Sequence, residues 1–492
     1  MKKITLNVFL VIMLLVLTTS CFNDDRDDNL VTTTEINDFV WKSMNIWYFW
    51  QQDVNDLADN RFSSDQEYID YLNSFSSPRN LFNDLKFTEE DRFSWIVDDY
   101  NELLNSFQGV AKTNGVEFGI FRINEGEDDL FGIVRYILPN SDASSNNILR
   151  GDFFLSVDGT SLHINNYIDL LFEGSDSYTL NMAEISGGNI ISNGIDISLT
   201  KQAYTENPIF IAKTIDVGGI KIGYLMYNGF TRNFDEQLND AFGEFKANGI
   251  DELVLDLRYN LGGNVNSAIF LSSMITGQFT GDLFLRQQWN DKLQAIFSDA
   301  SLNRYFVDRL SNDGPQINSL NLNKVYILAQ GSSASASELV INSLDPYIDV
   351  LHIGNNTRGK NEFSVTLLDI PECSYVLGLE DCNSSPNPTH TWGIQPLVGR
   401  NANAVGFLDY DENGLIPDIS FPEDLANFGV LGEIDEPLFA RAIQHITGNG
   451  RTMNPSIKQF EIITSSKIQA PLRDNMYIIP NEDLLKNIQE MQ

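Results

Sequence analysis

The sequence predicts a multidomain protein of mixed α/β (α+β) class, and three observations carry that reading. From residue 206 onward, strand-length apolar runs alternate with a helix-length segment, as in IKIGYLMYNGF, NFDEQLNDAFGEFKANG and DELVLDL. That alternation builds a sheet with crossover helices. Ahead of it, residues 32–107 carry helical patterns, and the stretch beyond them reads as strands and glycine turns. Of 492 residues, 42% are hydrophobic, enough for two or three packed domains.

The elements follow in chain order. MKKITLNVFLVIMLLVLTTSC has two lysines, an apolar core and small residues before a cysteine, the pattern of a secretory signal. The run from Val8 to Leu17 is short for a spanning helix, and no later segment approaches 18 consecutive apolar residues. LTTSC resembles a bacterial lipoprotein cleavage site with Cys21 as the lipidated residue, with Thr18 in place of the usual leucine. FNDDRDDN (22–29) resembles the acidic tag that directs some Gram-negative lipoproteins to the outer face of the outer membrane, and reads equally well as a solvated linker. The expectation is an exported outer-membrane lipoprotein, on the periplasmic or the cell-surface face. The formal charge of −36, which becomes −38 when Lys2 and Lys3 leave with the signal, argues against nucleic-acid partners and against adhesion to an anionic membrane through protein charge. Membrane attachment then depends on lipid at Cys21, with two or more acyl chains.

TTTEINDFVWKSMNIWYFWQQDVNDL (32–57) begins with a threonine cap and spaces Phe39, Trp41, Met44, Trp47, Tyr48 and Trp50 as a helix does. With 63–75 and 88–107 it predicts a small helical N-terminal domain whose aromatic stripe forms core.

KVYILAQ (324–330) reads as a buried strand, the small residues 331–336 as a tight turn, and SELVINSLD (337–345) as a helix. Ser335 then stands at a helix N-terminus, where free amides favour a developing oxyanion. IDVLHIG (348–354) reads as the next strand, with Lys360 in the loop beyond it. If the two strands are parallel neighbours, both side chains emerge on one sheet edge. A serine hydroxyl needs a base, and a lysine serves only when burial leaves it neutral. Ser335 with Glu338 also fits a helix capping box. Serines 332, 333, 335 and 337 all compete as nucleophile on chemical grounds, and Lys360 alone also reads as a solvated loop residue.

LDLRYNLGG (255–263), GSSASASE (331–338) and the pair Gly359–Lys360 occur in the order and spacing of the C-terminal processing, or tail-specific, serine peptidases, which the chain resembles over about 110–425. The resemblance implies an α/β crotonase-like protease core with a strand-turn-helix nucleophile. It makes Ser335 the nucleophile, Lys360 the base, and Gly262, Gly263 and the amide of Ala336 the backbone oxyanion element. The same glycine pair is also unremarkable at a strand-to-helix turn. GLIPDISFPED (414–424) resembles the glycine and proline-aspartate element that follows the lysine. Where the family often has glutamine four residues past the lysine, this chain has Ser364, a shorter hydrogen-bonding residue to orient Lys360.

Upstream, GVEFGIFRI and GIVRYILPNSDASSNNILRGDFFLSVDGTSL resemble the PDZ-like peptide-binding domain of these enzymes. Such modules add an extended peptide to a sheet edge. EFGI, residues Glu117, Phe118, Gly119 and Ile120, stands as a loose version of the carboxylate-binding loop, with Glu117 unfavourable to a carboxylate. An ordinary small β-domain also fits.

Cys373 and Cys382 remain once Cys21 is set aside, and in an exported chain they predict a disulfide. His163, His352, His390 and His445 show no ligand spacing, so no metal site follows, and no cofactor is implied.

The expected division is a signal (1–21), acidic linker (22–33), helical N-terminal domain (34–108), PDZ-like domain (109–205), peptidase core (206–445) and C-terminal tail (446–492). The expected function is exported serine endopeptidase, with protein or peptide substrates. The alternative is a catalytically weak PDZ-bearing peptide-binding surface lipoprotein. Natural substrate and oligomeric state lie beyond the sequence.

Overall fold

The computed structural model describes residues 32–377, 382, 384–408, 410, 412–448, 460–469 and 476–480. Cys21, the leader and most of the acidic stretch lie outside these residues.

A six-stranded sheet organises the chain, in the order Ile209–Val217, Ile220–Tyr227, Glu252–Asp256, Lys324–Ala329, Asp349–Gly354 and Ile419–Ser420. The first pair is antiparallel and every later pair is parallel. Lys324–Ala329 shows why its run is apolar throughout. Val325, Ile327 and Ala329 enter one core, while Tyr326 and Leu328 enter the core on the opposite face. A strand buried on both faces has no polar side to alternate with.

Helices Asp235–Asn248, Val265–Ile275 and Ala336–Leu344 put apolar side chains into the first core, and Pro437–Thr447 covers the second. Asp235–Asn248 ends at Gly249, whose φ of +62° suits the left-handed cap. Asn264 caps Val265–Ile275 by accepting from the amides of Asn266 and Ser267. Because the central strands run parallel, the loops after Asp256, Ala329 and Gly354 leave at one edge, where ligands of open α/β sheets bind.

The N-terminal helices pack into the core of the central sheet. Thr33–Trp47 and Pro78–Asp84 place Phe39, Met44, Trp47, Leu81 and Phe82 in the same apolar cluster as Leu255, Ile327 and Leu339. Residues 88–99 are not helical. They turn at Asp91 and contribute the short strand Trp95–Val97, paired with Gly393–Gln395.

A second, antiparallel sheet forms the β-domain. Its order is Ile462–Ser465, Val116–Arg122, Leu130–Ile137, Phe153–Val157, Ser177–Ser186 and Asn189–Thr200. Chain entry and exit are joined by the ribbon Val110–Thr113 with Gln202–Thr205. EFGI is not a loop. Glu117, Phe118, Gly119 and Ile120 lie within the strand Val116–Arg122, paired on both sides. Gly119 suits that strand because a Cβ there would lie 2.7 Å from the Phe121 ring and 3.1 Å from Arg135 Nε.

Candidate active site

The turn after Lys324–Ala329 delivers Ser335 with φ +64° and ψ −114°, a conformation that costs a non-glycine residue about 1–3 kcal/mol. The Ser335 hydroxyl is buried and has no hydrogen-bond partner among the described residues. A buried hydroxyl left unpaired in a strained turn marks a group held for something other than stability. The neighbouring serines are spent on structure. Ser333 Oγ donates to the Leu257 carbonyl at 2.8 Å, and Ser337 Oγ donates to the Asn260 carbonyl at 2.9 Å. Ser332 faces a different cavity, lined by Arg135, Tyr259 and Glu423.

Glu338 gathers this region. Its Oε2 accepts from the amides of Ser335 at 2.7 Å and Lys360 at 2.9 Å, and its Oε1 from Thr357 Oγ1 at 2.5 Å and the Gly359 amide at 2.7 Å. Burial pushes its carboxyl up to about 7, against the pull of these four donors. The sum of the Oε2 distances caps the separation of the Ser335 and Lys360 amide nitrogens at about 5.6 Å. GLIPD supports this carboxylate at one remove. The Leu415 amide donates to Thr357 Oγ1 at 2.7 Å, and Gly414, at φ +67°, packs where a Cβ would lie 2.1 Å from the Thr357 carbonyl oxygen.

Lys360 is fully buried, with Nζ 4.6 Å from the centroid of the Phe93 ring. Phe93 comes from the N-terminal region, where Asp91 holds the turn. Its carboxylate accepts from the amides of Phe93 at 3.1 Å and Ser94 at 2.8 Å and from Tyr48 Oη at 2.7 Å. Arg92 also donates to the Gly359 carbonyl at 2.5 Å. The sequence offered no signal for Phe93, because it approaches Lys360 only across 267 positions of chain. Ser364, also fully buried, donates its hydroxyl to the Met476 carbonyl at 3.3 Å.

The glycine pair closes the opposite side. Gly262 has φ +111°, and a Cβ there would lie 2.6 Å from Ser335 Cβ and 3.0 Å from Ser335 Oγ. Its amide donates to Asn260 Oδ1 at 2.8 Å, so its contribution is the absent side chain and not a free donor. Gly263, at φ +135°, packs against the Phe230 carbonyl. Arg258, next to this turn, is buried in an ion network with Asp256, Glu423 and Glu436. Arg150 of the β-domain joins it through Glu423 at 2.9 Å. Burial pushes the Glu423 carboxyl up, yet Arg150 and Arg258 outweigh it and hold the group down at about 2. The motif's aspartate and arginine therefore lock the sheet edge and tie the β-domain to it.

Cys373 and Cys382 are disulfide-bonded with Cα atoms 5.8 Å apart. His352 is buried, and burial holds its imidazole down at about 4. Among the described residues no group of three or more His, Cys, Asp or Glu side chains could hold a metal ion.

Residues 221–374 match the model of peptidase family S41, and residues 35–95 match the S41 N-terminal domain. Two segments of the chain are thus similar to peptidase family S41. Among curated relatives, a chloroplastic C-terminal processing peptidase of Tetradesmus obliquus is 26% identical over 58% of the chain. A carboxyl-terminal-processing protease of Picosynechococcus sp. is 22% identical over 71% of it. The matches span 56% and 74% of those relatives' own lengths. A crystal structure of a Bacteroides fragilis protein described as an S41 protease covers 83% of this chain and 97% of its own, with a TM-score of 0.63 at 23% identity. That likeness shows a shared fold.

Proposed function

We propose that the protein is an exported serine endopeptidase of the C-terminal processing type, acting on unfolded or tail segments of proteins through a Ser335–Lys360 dyad. The carrying observation is the buried, unpaired Ser335 hydroxyl in a strained turn whose amide shares Glu338 Oε2 with Lys360. Ser335 Oγ attacks the scissile carbonyl carbon while its proton passes to a neutral Lys360 Nζ. The tetrahedral oxyanion takes hydrogen bonds from the amides of Gly263 and Ala336. Collapse breaks the C–N bond, and Lys360 returns the proton to the leaving amine. Water then attacks the acyl carbon while its proton passes to Lys360, and as the ester C–O bond breaks Lys360 returns that proton to Ser335 Oγ, releasing the acid.

The printed descriptions of the relatives support a C-terminal processing role. Residues 109–205 serve as a PDZ-like module that presents a sheet edge to extended peptides. The leader and Cys21 deliver the enzyme as an outer-membrane lipoprotein.

The test is covalent labelling of the full chain with an electrophilic phosphonate, followed by peptide mapping. A phosphonyl adduct on Ser335 and on no other serine of 331–338 supports the assignment. An adduct on Ser332, Ser333 or Ser337 refutes it.

A further inference from the structure

Residues 460–469 and 476–480 of this same chain occupy the outer edge of the β-domain and the space between Gly263 and Ser364. Ile462–Ser465 pairs antiparallel with Val116–Arg122 in the register Ile462 to Phe121, Thr464 to Ile120 and Ser465 to Gly119. Ser466 Oγ accepts from the Phe118 amide at 2.9 Å and donates to Glu117 Oε2 at 2.6 Å. Lys467 follows, 5% exposed, and its Nζ donates to Glu206 Oε1 at 3.0 Å and to the Asn228 carbonyl at 2.9 Å. A cavity of about 60 Å³ beside it is shared by Lys467, Glu206, Asn228, Phe230, Gly263 and Tyr477.

Further along, Met476–Tyr477 runs parallel to Glu362–Ser364, the strand that leads away from Lys360. The Tyr477 amide donates to the Gly263 carbonyl at 3.2 Å, and the Ile478 amide donates to the Ser364 carbonyl at 3.1 Å. The Tyr477 ring stacks on Phe107 with centroids 4.2 Å apart. An extended segment held on one side by the lysine's strand and on the other by the oxyanion turn lies where a substrate backbone must lie to meet Ser335. With it in place, Ser335 and Lys360 are both 0% exposed.

We infer that residues 460–469 and 476–480 form a resident peptide, bound in cis, that closes the peptidase, and that Glu206 with the Asn228 carbonyl forms a subsite for a basic side chain. The peptide that displaces the tail is then an extended segment carrying lysine or arginine. The closure rests on the peptidase reading of Ser335, whereas the basic subsite can be tested by binding alone.

The experiment uses the full chain carrying Lys467→Glu, which sets a carboxylate against Glu206, and separately Thr464→Pro, which breaks the added strand. Folding of each is checked by circular dichroism. Both variants are expected to cleave an unfolded protein at least tenfold faster in kcat/KM than wild type. A fluorescent synthetic peptide of residues 460–469 is expected to bind both variants and not wild type, and to bind at least tenfold more weakly when it carries Lys467→Ala. Folded variants with unchanged activity and no peptide binding overturn the inference and make the tail a structural strand. Peptide binding to the variants without any hydrolysis sustains the basic subsite and counts against the peptidase reading.

Discussion

The amide nitrogens of Ser335 and Lys360 donate to the same carboxylate oxygen, Oε2 of Glu338, at 2.7 and 2.9 Å. Two residues 25 positions apart are thereby fixed by one buried acceptor. Glu338→Gln puts an NH2 group among donors and leaves at least one of them unpaired. A drop in kcat of at least tenfold with KM little changed is expected, together with a loss of about 2–4 kcal/mol in stability, read by steady-state kinetics and urea melts.

Glu338 also gives a pH signature. Its carboxyl stands near 7 in the folded chain against an ordinary value of 4.5, so the folded state binds the proton more tightly. The stability this contributes is fully present below about pH 4.5 and is lost as pH rises through about 7. Differential melts of wild type and Glu338→Gln from pH 4 to 8 are expected to converge toward the upper end, as the wild-type contribution fades.

Glu423 behaves in the opposite sense. Held at about 2 by Arg150 and Arg258 against burial, it contributes stability present above about pH 4.5 and lost as pH falls toward 2. Glu423→Gln should flatten that part of the acid limb of the melting curve. Arg258→Met, which strands Asp256 and Glu436, is expected to cost about 3–5 kcal/mol in denaturant melts at pH 7.

Gly262→Ala tests the contact with Ser335. The new methyl would stand 2.6 Å from Ser335 Cβ at a backbone φ of +111°. Peptide hydrolysis is expected to fall at least a hundredfold, while far-ultraviolet circular dichroism stays that of the wild type.

Phe93→Ala tests the wall behind the lysine. Removing a ring 4.6 Å from Lys360 Nζ admits water to a fully buried amine, and kcat is expected to fall about tenfold. Tyr48→Phe, which loses the hydrogen bond to Asp91, should show a smaller effect in the same direction.

Local pattern made the strand-turn-helix around Ser335 legible, because Lys324–Ala329 is buried on both faces and the small residues after it permit only a tight turn. Spacing left the competition among the four serines open. It is the Leu257 and Asn260 carbonyls, brought by another strand's loop, that occupy Ser333 and Ser337. EFGI read as a carboxylate-binding loop through the PDZ resemblance, yet Gly119 serves the close approach of Phe121 and Arg135 within a paired strand. Residues 88–99 carried helical composition, and the Tyr48 bond to Asp91 with the pairing of Trp95–Val97 overrode it. Phe93 over Lys360 and Tyr477 against Gly263 join segments hundreds of residues apart, and neither has a local signature.

The most direct test of the central claim is the rate of cleavage of an unfolded protein by the purified chain without residues 1–21, from pH 6 to 10, beside Ser335→Ala and Lys360→Ala. The dyad requires hydrolysis that rises with pH and is abolished in both folded variants. Cleavage that persists in either variant would contradict it.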